Sequence, residues 1–296
     1  MNETVQILMS TYNGQTYIRE QMESLLKQDY SNIEILIRDD GSTDNTVQIL
    51  QEYETVYANV QVFEEKNVGV TASFFELLRK SDAAYIAFCD QDDVWLPDKV
   101  TRAVTKLQSI QGPALYCSNK ILVDSKLQVI ANNQEKKLRP AFENALVECI
   151  CTGCTSMMNR ELADSIRSHI PEHAIIHDWW CYLVASYLGT VVFDEQAYIW
   201  YRQHGGNVIG ASPTVLGTIH AKAEYVKKNK GKLRGQLQDF AQLYRKYPKK
   251  DELVQLLLSS ETIVAKCKVV FGHVFYRQEK LDGVITRILF LINKML

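Results

Sequence analysis

Val5-Gln6-Ile7-Leu8-Met9-Ser10-Thr11-Tyr12-Asn13-Gly14 is an apolar run that ends in a polar loop, and the residues after it set the fold. Val5–Ser10 favours a strand and Thr11–Gly14 a loop, after which Ile18, Met22, Leu25 and Leu26 fall at helical spacing. The unit then recurs. Ile33–Ile37 predicts a strand, Asp39-Asp40-Gly41-Ser42 a turn with capping residues, and Thr43–Tyr53 a helix that turns Val47 and Leu50 inward. A third strand at Val60–Phe63 leads through a glycine-containing loop into a helix over Val70–Lys80, with Phe74, Leu77 and Leu78 on one face. A fourth, Tyr85–Cys89, runs into Asp90-Gln91-Asp92-Asp93. Such alternation implies right-handed crossovers and an α/β fold, a mostly parallel central sheet flanked by helices. Ligands of such sheets gather at the carboxyl ends of strands, so the site is expected where Thr11, Asp40 and Asp92 converge.

From about residue 114 to 203 the pattern is less regular, with candidate strands at Leu115–Cys117, Thr155–Met158, Val191–Phe193 and Tyr198–Trp200 that complete the sheet. Beyond Gly210 the composition turns basic and helical, which sets a soft boundary near residue 212 between a catalytic domain (1–212) and a helical extension (213–296). The net charge of −2 conceals this asymmetry: residues 1–210 carry 17 Lys and Arg against 28 Asp and Glu, residues 211–296 carry 16 against 7.

With 296 residues, 46% of them hydrophobic, the chain buries a substantial core. Seven cysteines with no secretory leader point to reduced thiols in a cytoplasm rather than a disulfide framework. Every apolar stretch is interrupted short of the roughly 18–20 residues that span a bilayer.

Three carboxylates in four residues, Asp90, Asp92 and Asp93, directly follow a buried strand. Carboxylates this close repel one another, and a divalent cation offsets that cost; Mg²⁺ or Mn²⁺ would share its shell with substrate phosphates. The competing reading is an acidic turn leading into a helix at Pro97–Ser109, with Asp93 or Asp98 as its cap. Asp39–Asp44 is likewise either a turn with an N-cap or a strand-end carboxylate that accepts the N–H of a pyrimidine, and spacing alone does not choose. Neither a phosphate-cradling loop with its lysine nor a dinucleotide fingerprint follows the first strand. A bound nucleotide would therefore rely on metal to neutralise its diphosphate.

Ile7-Leu8-Met9-Ser10-Thr11-Tyr12-Asn13-Gly14, Arg38-Asp39-Asp40-Gly41-Ser42-Thr43-Asp44-Asn45-Thr46 and Asp90-Gln91-Asp92-Asp93-Val94-Trp95, in this order, resemble the family 2 glycosyltransferases of the GT-A fold. The resemblance extends to about residue 210. There His177-Asp178-Trp179-Trp180 and Tyr201-Arg202-Gln203-His204-Gly205-Gly206-Asn207 look like the bacterial rhamnosyltransferase branch that builds cell-wall or capsular polysaccharide.

What the resemblance implies can be assigned residue by residue. Thr11, Tyr12 and Asn13 would bind the donor, with Tyr12 stacked on the pyrimidine and Asp40 accepting its N–H. Asn67 and Gly69 would lie close to the nucleotide, Asp90 would face the ribose or sugar, and Asp92 with His204 would hold the metal. Asp178 would be the catalytic base, since an inverting transfer needs one carboxylate to take the acceptor hydroxyl's proton. Trp95, Gly153, Trp179 and Trp180 would form the acceptor side. By itself Asp178 reads as a helix N-cap and His204 as a surface residue. His177 stands where the commoner family pattern has an acidic residue. Cys151-x-x-Cys154 lacks a second Cys/His pair at zinc spacing.

The tail sets Leu253, Leu256, Leu257, Ile263, Val264, Cys267, Val270, Phe271 and Val274 on one stripe and Val284, Ile285, Ile288, Leu289, Ile292 and Met295 on another, both flanked by Lys and Arg. These helices either pack on the catalytic domain or a second subunit, or lie on an anionic membrane that presents a polyprenyl-pyrophosphate-linked acceptor. Nucleic acid is not an expected partner, because the basic helices lack interleaved aromatic residues and the site is acidic. The reading is thus a metal-dependent transferase using a nucleotide-diphosphate sugar, dTDP-L-rhamnose or a UDP-hexose, on a saccharide acceptor. The rivals are a metal-dependent nucleotidyltransferase or pyrophosphohydrolase, and a non-catalytic scaffold.

Overall fold

The computed structural model describes residues 3–132, 137–204, 231–260, 262–272, 274–293 and 295. The boundary near residue 212 and the residues 205–207 fall outside them.

The repeated units form as the periodicity requires. Strands β1 (Val5–Thr11), β2 (Ile33–Asp39), β3 (Val60–Glu64) and β4 (Tyr85–Cys89) pair in parallel in the order β3-β2-β1-β4. Helices α1 (Ile18–Leu26), α2 (Thr46–Val56) and α3 (Val70–Lys80) make the crossovers. β1 is apolar along nearly its whole length because both faces are covered: Ile7 and Met9 join one core cluster and Leu8 the other. α2 starts at Thr46 rather than Thr43 because Asp44 Oδ1 accepts the Thr46 N–H at 2.9 Å and closes a turn ahead of the helix. β5 (Val94–Trp95) and α4 (Lys99–Leu107) follow.

The second half extends the sheet. β6 (Ala114–Val123) carries the short hairpin partner β7 (Val129–Asn132). Beyond it come α5 (Phe142–Ala145), a 3₁₀ turn at Gly153–Thr155, β8 (Met157–Asn159), α6 (Arg160–Arg167) and α7 (His177–Leu188). β8 lies antiparallel between β4 and β6. The stretches at Val191–Phe193 and Tyr198–Trp200 are parts of a single strand, β9 (Thr190–Arg202), parallel to β6 and irregular around Ser118–Ile121. The register shift places exposed Glu195 and Gln196 mid-strand, which interrupts the apolar pattern.

α8 (Lys232–Leu243), its C-cap Tyr244 and α9 (Pro248–Leu258) bury Leu237, Phe240, Tyr244, Val254 and Leu257 in the same core as Trp180 and Tyr187 of α7. Part of the basic tail is therefore packed against α7. α10 (Ile263–Phe271) and α11 (Lys280–Leu291) complete the described chain. No helix among the described residues is long and apolar enough to cross a membrane.

Candidate active site

A cavity of about 470 Å³ opens at the carboxyl ends of β1, β2 and β4, within the size range of small-molecule sites. Its walls bring together Thr11, Tyr12, Asp40, Asn67, Gly69, Asp90, Asp92, Gly153 and Asp178, so nine expected site residues converge.

The loops are held by their own acidic residues. Asp39 accepts from Thr11 Oγ1 at 2.9 Å, Ser42 N at 2.7 Å and Ser42 Oγ at 2.6 Å, which locks the turn after β2. Asp40 is buried, ion-paired to Arg38, and accepts the N–H groups of Val68 at 2.8 Å and Gly69 at 2.9 Å. Gly69 sits at φ +83°, where a side chain is strained, so the loop can close over Asp40 only with glycine there. Asn67 ties the same loop by donating to the Asp40 carbonyl at 2.8 Å. Asn13, expected to bind donor, does not line the cavity: its side-chain oxygen accepts from Thr43 N at 2.8 Å and braces the neighbouring loop.

Gln91 was not singled out in the sequence. Its amide clamps the half-exposed Tyr12 by accepting from Tyr12 N at 2.9 Å and donating to Tyr12 O at 3.1 Å. A Cβ on Gly14 would come within 2.3 Å of Gln91 Oε1, so glycine makes room for this clamp.

Burial, then the charges of Asp92 and Asp178, push the Asp90 carboxyl up to about 7. Asp92 Oδ2 lies 2.8 Å from His204 Nε2, joining two residues 112 positions apart. Arg202 organises this corner: its backbone N–H donates to Asp93 Oδ1 at 2.9 Å and its Nε to the Asp92 carbonyl at 2.7 Å, while its side chain ion-pairs with Glu20. The His204 ring packs 4.9 Å from Tyr17. The Asp92 carboxylate and His204 imidazole, in contact with each other, are an oxygen and a nitrogen donor of the kinds that hold a divalent cation. Asp90, Asp93 and Cys154 also bring ligand atoms within 4.8 Å of one another. That set is internal, however: Asp93 is 1% exposed and bonded to Arg202, and burial keeps the Cys154 thiol protonated.

Across the cavity, Asp178 stands in the first turn of α7. Its Oδ2 accepts the Gly153 N–H at 2.9 Å, while Oδ1 is buried without a hydrogen-bond partner among the described residues. Burial raises the carboxyl to about 6, outweighing the backbone N–H groups that oppose it. It is a carboxylate near neutral pH and a stronger base than an ordinary one. The N-cap of α7 is Ile176, so Asp178 does not serve as the cap.

Three aromatic residues expected on the acceptor side lie elsewhere. Trp180 is fully buried among Phe240 and Tyr244, and Trp179 donates its indole N–H inward to the Ala145 carbonyl at 2.7 Å. The ring of Trp95 is covered by the Lys99 ammonium at 3.6 Å from its centroid. These are core positions. Tyr201 and His177 line the cavity instead.

Residues 6–167 match the family model described as Glycosyl transferase family 2. The chain belongs to glycosyltransferase family 2. It is similar to the dTDP-rhamnosyl transferase RfbG of Shigella flexneri, 30% identical over 232 residues that cover 73% of this chain and 76% of that protein. A putative teichuronic acid biosynthesis glycosyltransferase, TuaG of Bacillus subtilis, is 28% identical over 55% of this chain and 65% of its own length. S. aureus TarS 1-349, solved in complex with UDP, superposes with a TM-score of 0.60 at 16% identity, covering 98% of this chain and 80% of that one. The mannosyltransferase PcManGT of Pyrobaculum calidifontis, solved with GDP-Man and Mn²⁺, gives 0.55 at 15% identity over 97% and 88% of the two chains. These likenesses establish a GT-A fold for this family 2 enzyme.

Proposed function

We propose that this glycosyltransferase is an inverting, metal-dependent enzyme that moves L-rhamnose from dTDP-L-rhamnose to a hydroxyl of a growing cell-wall or capsular polysaccharide. The observation that carries the reading is Asp178: one oxygen held by Gly153, the other buried, unpartnered among the described residues, the carboxyl raised in basicity, and in one cavity with Asp92, which His204 contacts from outside its lining. Asp178 Oδ1 takes the proton of the acceptor hydroxyl as that oxygen attacks the anomeric carbon opposite the departing diphosphate. Tyr12, held by Gln91, stacks on the base, and Asp40 orients it while fastening the loop at residues 67–69. A Mg²⁺ or Mn²⁺ ion held by Asp92 and His204 would stabilise the charge of the leaving diphosphate.

A strand-end carboxylate suits the N–H of a pyrimidine, and the likeness to RfbG supports dTDP and rhamnose. A UDP-hexose donor is the second reading, because Asp40 would serve uracil as well. Nucleotidyl transfer is less well supported, since no Lys or Arg lines the described cavity to grip a triphosphate. Calorimetric titration of dTDP, UDP and GDP with Mn²⁺ tests the base preference: dTDP binding at least as tightly as UDP supports the reading, and a preference for GDP overturns it.

The acceptor is a saccharide carried on a polyprenyl pyrophosphate at the cytoplasmic face of the plasma membrane. Supporting this, α10 and α11 expose Ile263, Val264, Phe271, Leu281, Val284, Ile285, Ile288 and Ile292, beside exposed Lys268 and Lys280. An apolar face set among cations suits an anionic bilayer.

A further inference from the structure

His177 opens α7, immediately before the base. It is 3% exposed, its ring stacked 3.9 Å from Phe74 and set edge-on 4.8 Å from Phe88. Neither ring nitrogen has a hydrogen-bond partner among the described residues. Burying an unpaired polar group is unfavourable, and a phenyl or leucyl side chain would fill the same aromatic niche without that cost. Packing therefore explains how the ring is held but not why it is an imidazole.

The position of the ring supplies a reason. Phe74 lies on α3, the helix that follows the loop at Asn67 and Gly69, and Asp178, the base in the reading above, lines the same cavity. The imidazole thus borders the cavity between the nucleotide end and the base, where the transferred sugar has to lie. A Cβ on Gly153 would stand 2.8 Å from His177 Nε2, so only a bare backbone fits beside that buried nitrogen. Burial drives the imidazole down to about 3, so it is neutral and offers one donor and one acceptor. That pair matches a sugar hydroxyl, which itself both donates and accepts.

We propose that His177 is a specificity residue that hydrogen-bonds a hydroxyl of the transferred sugar, between the nucleotide and Asp178. This rests on the donor reading above and names the group that reads the sugar rather than the base.

The test compares free nucleotides with nucleotide sugars. Titrations with dTDP and dTDP-L-rhamnose, and with UDP and UDP-glucose, are run with Mn²⁺ on wild type, His177→Phe, His177→Leu and His177→Gln. Expected are unchanged affinity for the free diphosphates, a loss of about tenfold in affinity for the accepted nucleotide sugar in His177→Phe and His177→Leu, and partial recovery in His177→Gln. The melting temperature of the free Phe or Leu variant stays equal to or above that of wild type. A donor lacking the hydroxyl in question binds wild type and His177→Phe alike. Undiminished binding and kcat/KM with the sugar nucleotide would overturn the proposal, as would equal weakening of free and sugar-bearing nucleotides, which marks a residue that only shapes the pocket. Failure of wild type to bind any nucleotide is a different result, one that removes the donor reading itself.

Discussion

Gly153 donates its backbone N–H to Oδ2 of Asp178 at 2.9 Å, while Oδ1 of the same carboxylate is buried without a hydrogen-bond partner among the described residues. Because an amide oxygen can accept the same N–H, Asp178→Asn keeps the geometry while removing the base. We expect kcat to fall by about a hundredfold to ten-thousandfold, with the affinity for nucleotide sugar within a factor of about two of wild type. Steady-state transfer assays beside donor titrations check both halves of this expectation.

The raised basicity of Asp178 sets a pH dependence. Its carboxyl, lifted to about 6 by burial, must be ionised to accept a proton. At saturating metal, kcat is therefore level above about pH 7 and falls as pH drops through about 6, roughly tenfold per unit. The residual activity of Asp178→Asn lacks this limb. A wild-type profile that stays flat down to pH 5 would remove Asp178 from the role.

His204 and Asp92 meet at 2.8 Å although 112 residues separate them, which makes a cation requirement testable at either end. Chelation abolishes transfer, and added Mn²⁺ or Mg²⁺ restores it. His204→Ala raises the metal concentration for half-maximal activity by about tenfold or more, since even outer partners of a metal ligand are worth about 10–100-fold in affinity. A metal titration identical to wild type would contradict the assignment.

Gly14 and Gln91 form one device. Gly14→Ala drives a Cβ into Gln91 Oε1, the mobile end of a side chain, so the protein stays folded while Tyr12 loses its clamp. Gly14→Ala and Gln91→Ala should each weaken nucleotide binding several-fold, and the double variant no further than either alone. Gly189→Ala is the contrasting case: its Cβ would stand 1.8 Å from the backbone oxygen of Pro113, and stability falls by about 1–3 kcal/mol, read in thermal melts.

The exposed apolar residues of α10 and α11 make a membrane prediction. The protein should co-sediment with vesicles containing phosphatidylglycerol and far less with neutral ones. Leu281→Glu with Ile288→Glu abolishes this binding and leaves turnover of a soluble acceptor intact. A solution dimer dissolved by the same substitutions would show instead that a second copy covers this face.

The first half of the fold was legible because each βαβ unit states its own period: Ile7, Ile35 and Ile86 lie in continuous apolar runs and the intervening helices carry one apolar stripe. So was the convergence of Thr11, Asp40 and Asp92, since strand ends place them there, whereas Asp178, on a helix, was pointed to only by the family resemblance. The second half was harder to read, because β9 contains its own irregularity and reads as two short strands. Trp179 and Trp180 misled because a large aromatic beside a base looks like a sugar platform, yet the helix that presents Asp178 to the cavity turns both rings into the core. Gln91 and Arg202 left no local trace. Their partners, Tyr12, Asp92, Asp93 and Glu20, are distant in sequence, and a polar residue between carboxylates carries no periodic signal.

The most direct test of the central claim is nucleotide release from a panel of dTDP- and UDP-sugars with Mg²⁺ or Mn²⁺, run on wild type beside Asp92→Asn. The account predicts selective, metal-dependent release from one donor, dTDP-L-rhamnose, lost in Asp92→Asn. Absence of release from every donor, together with no donor binding by calorimetry, would contradict it.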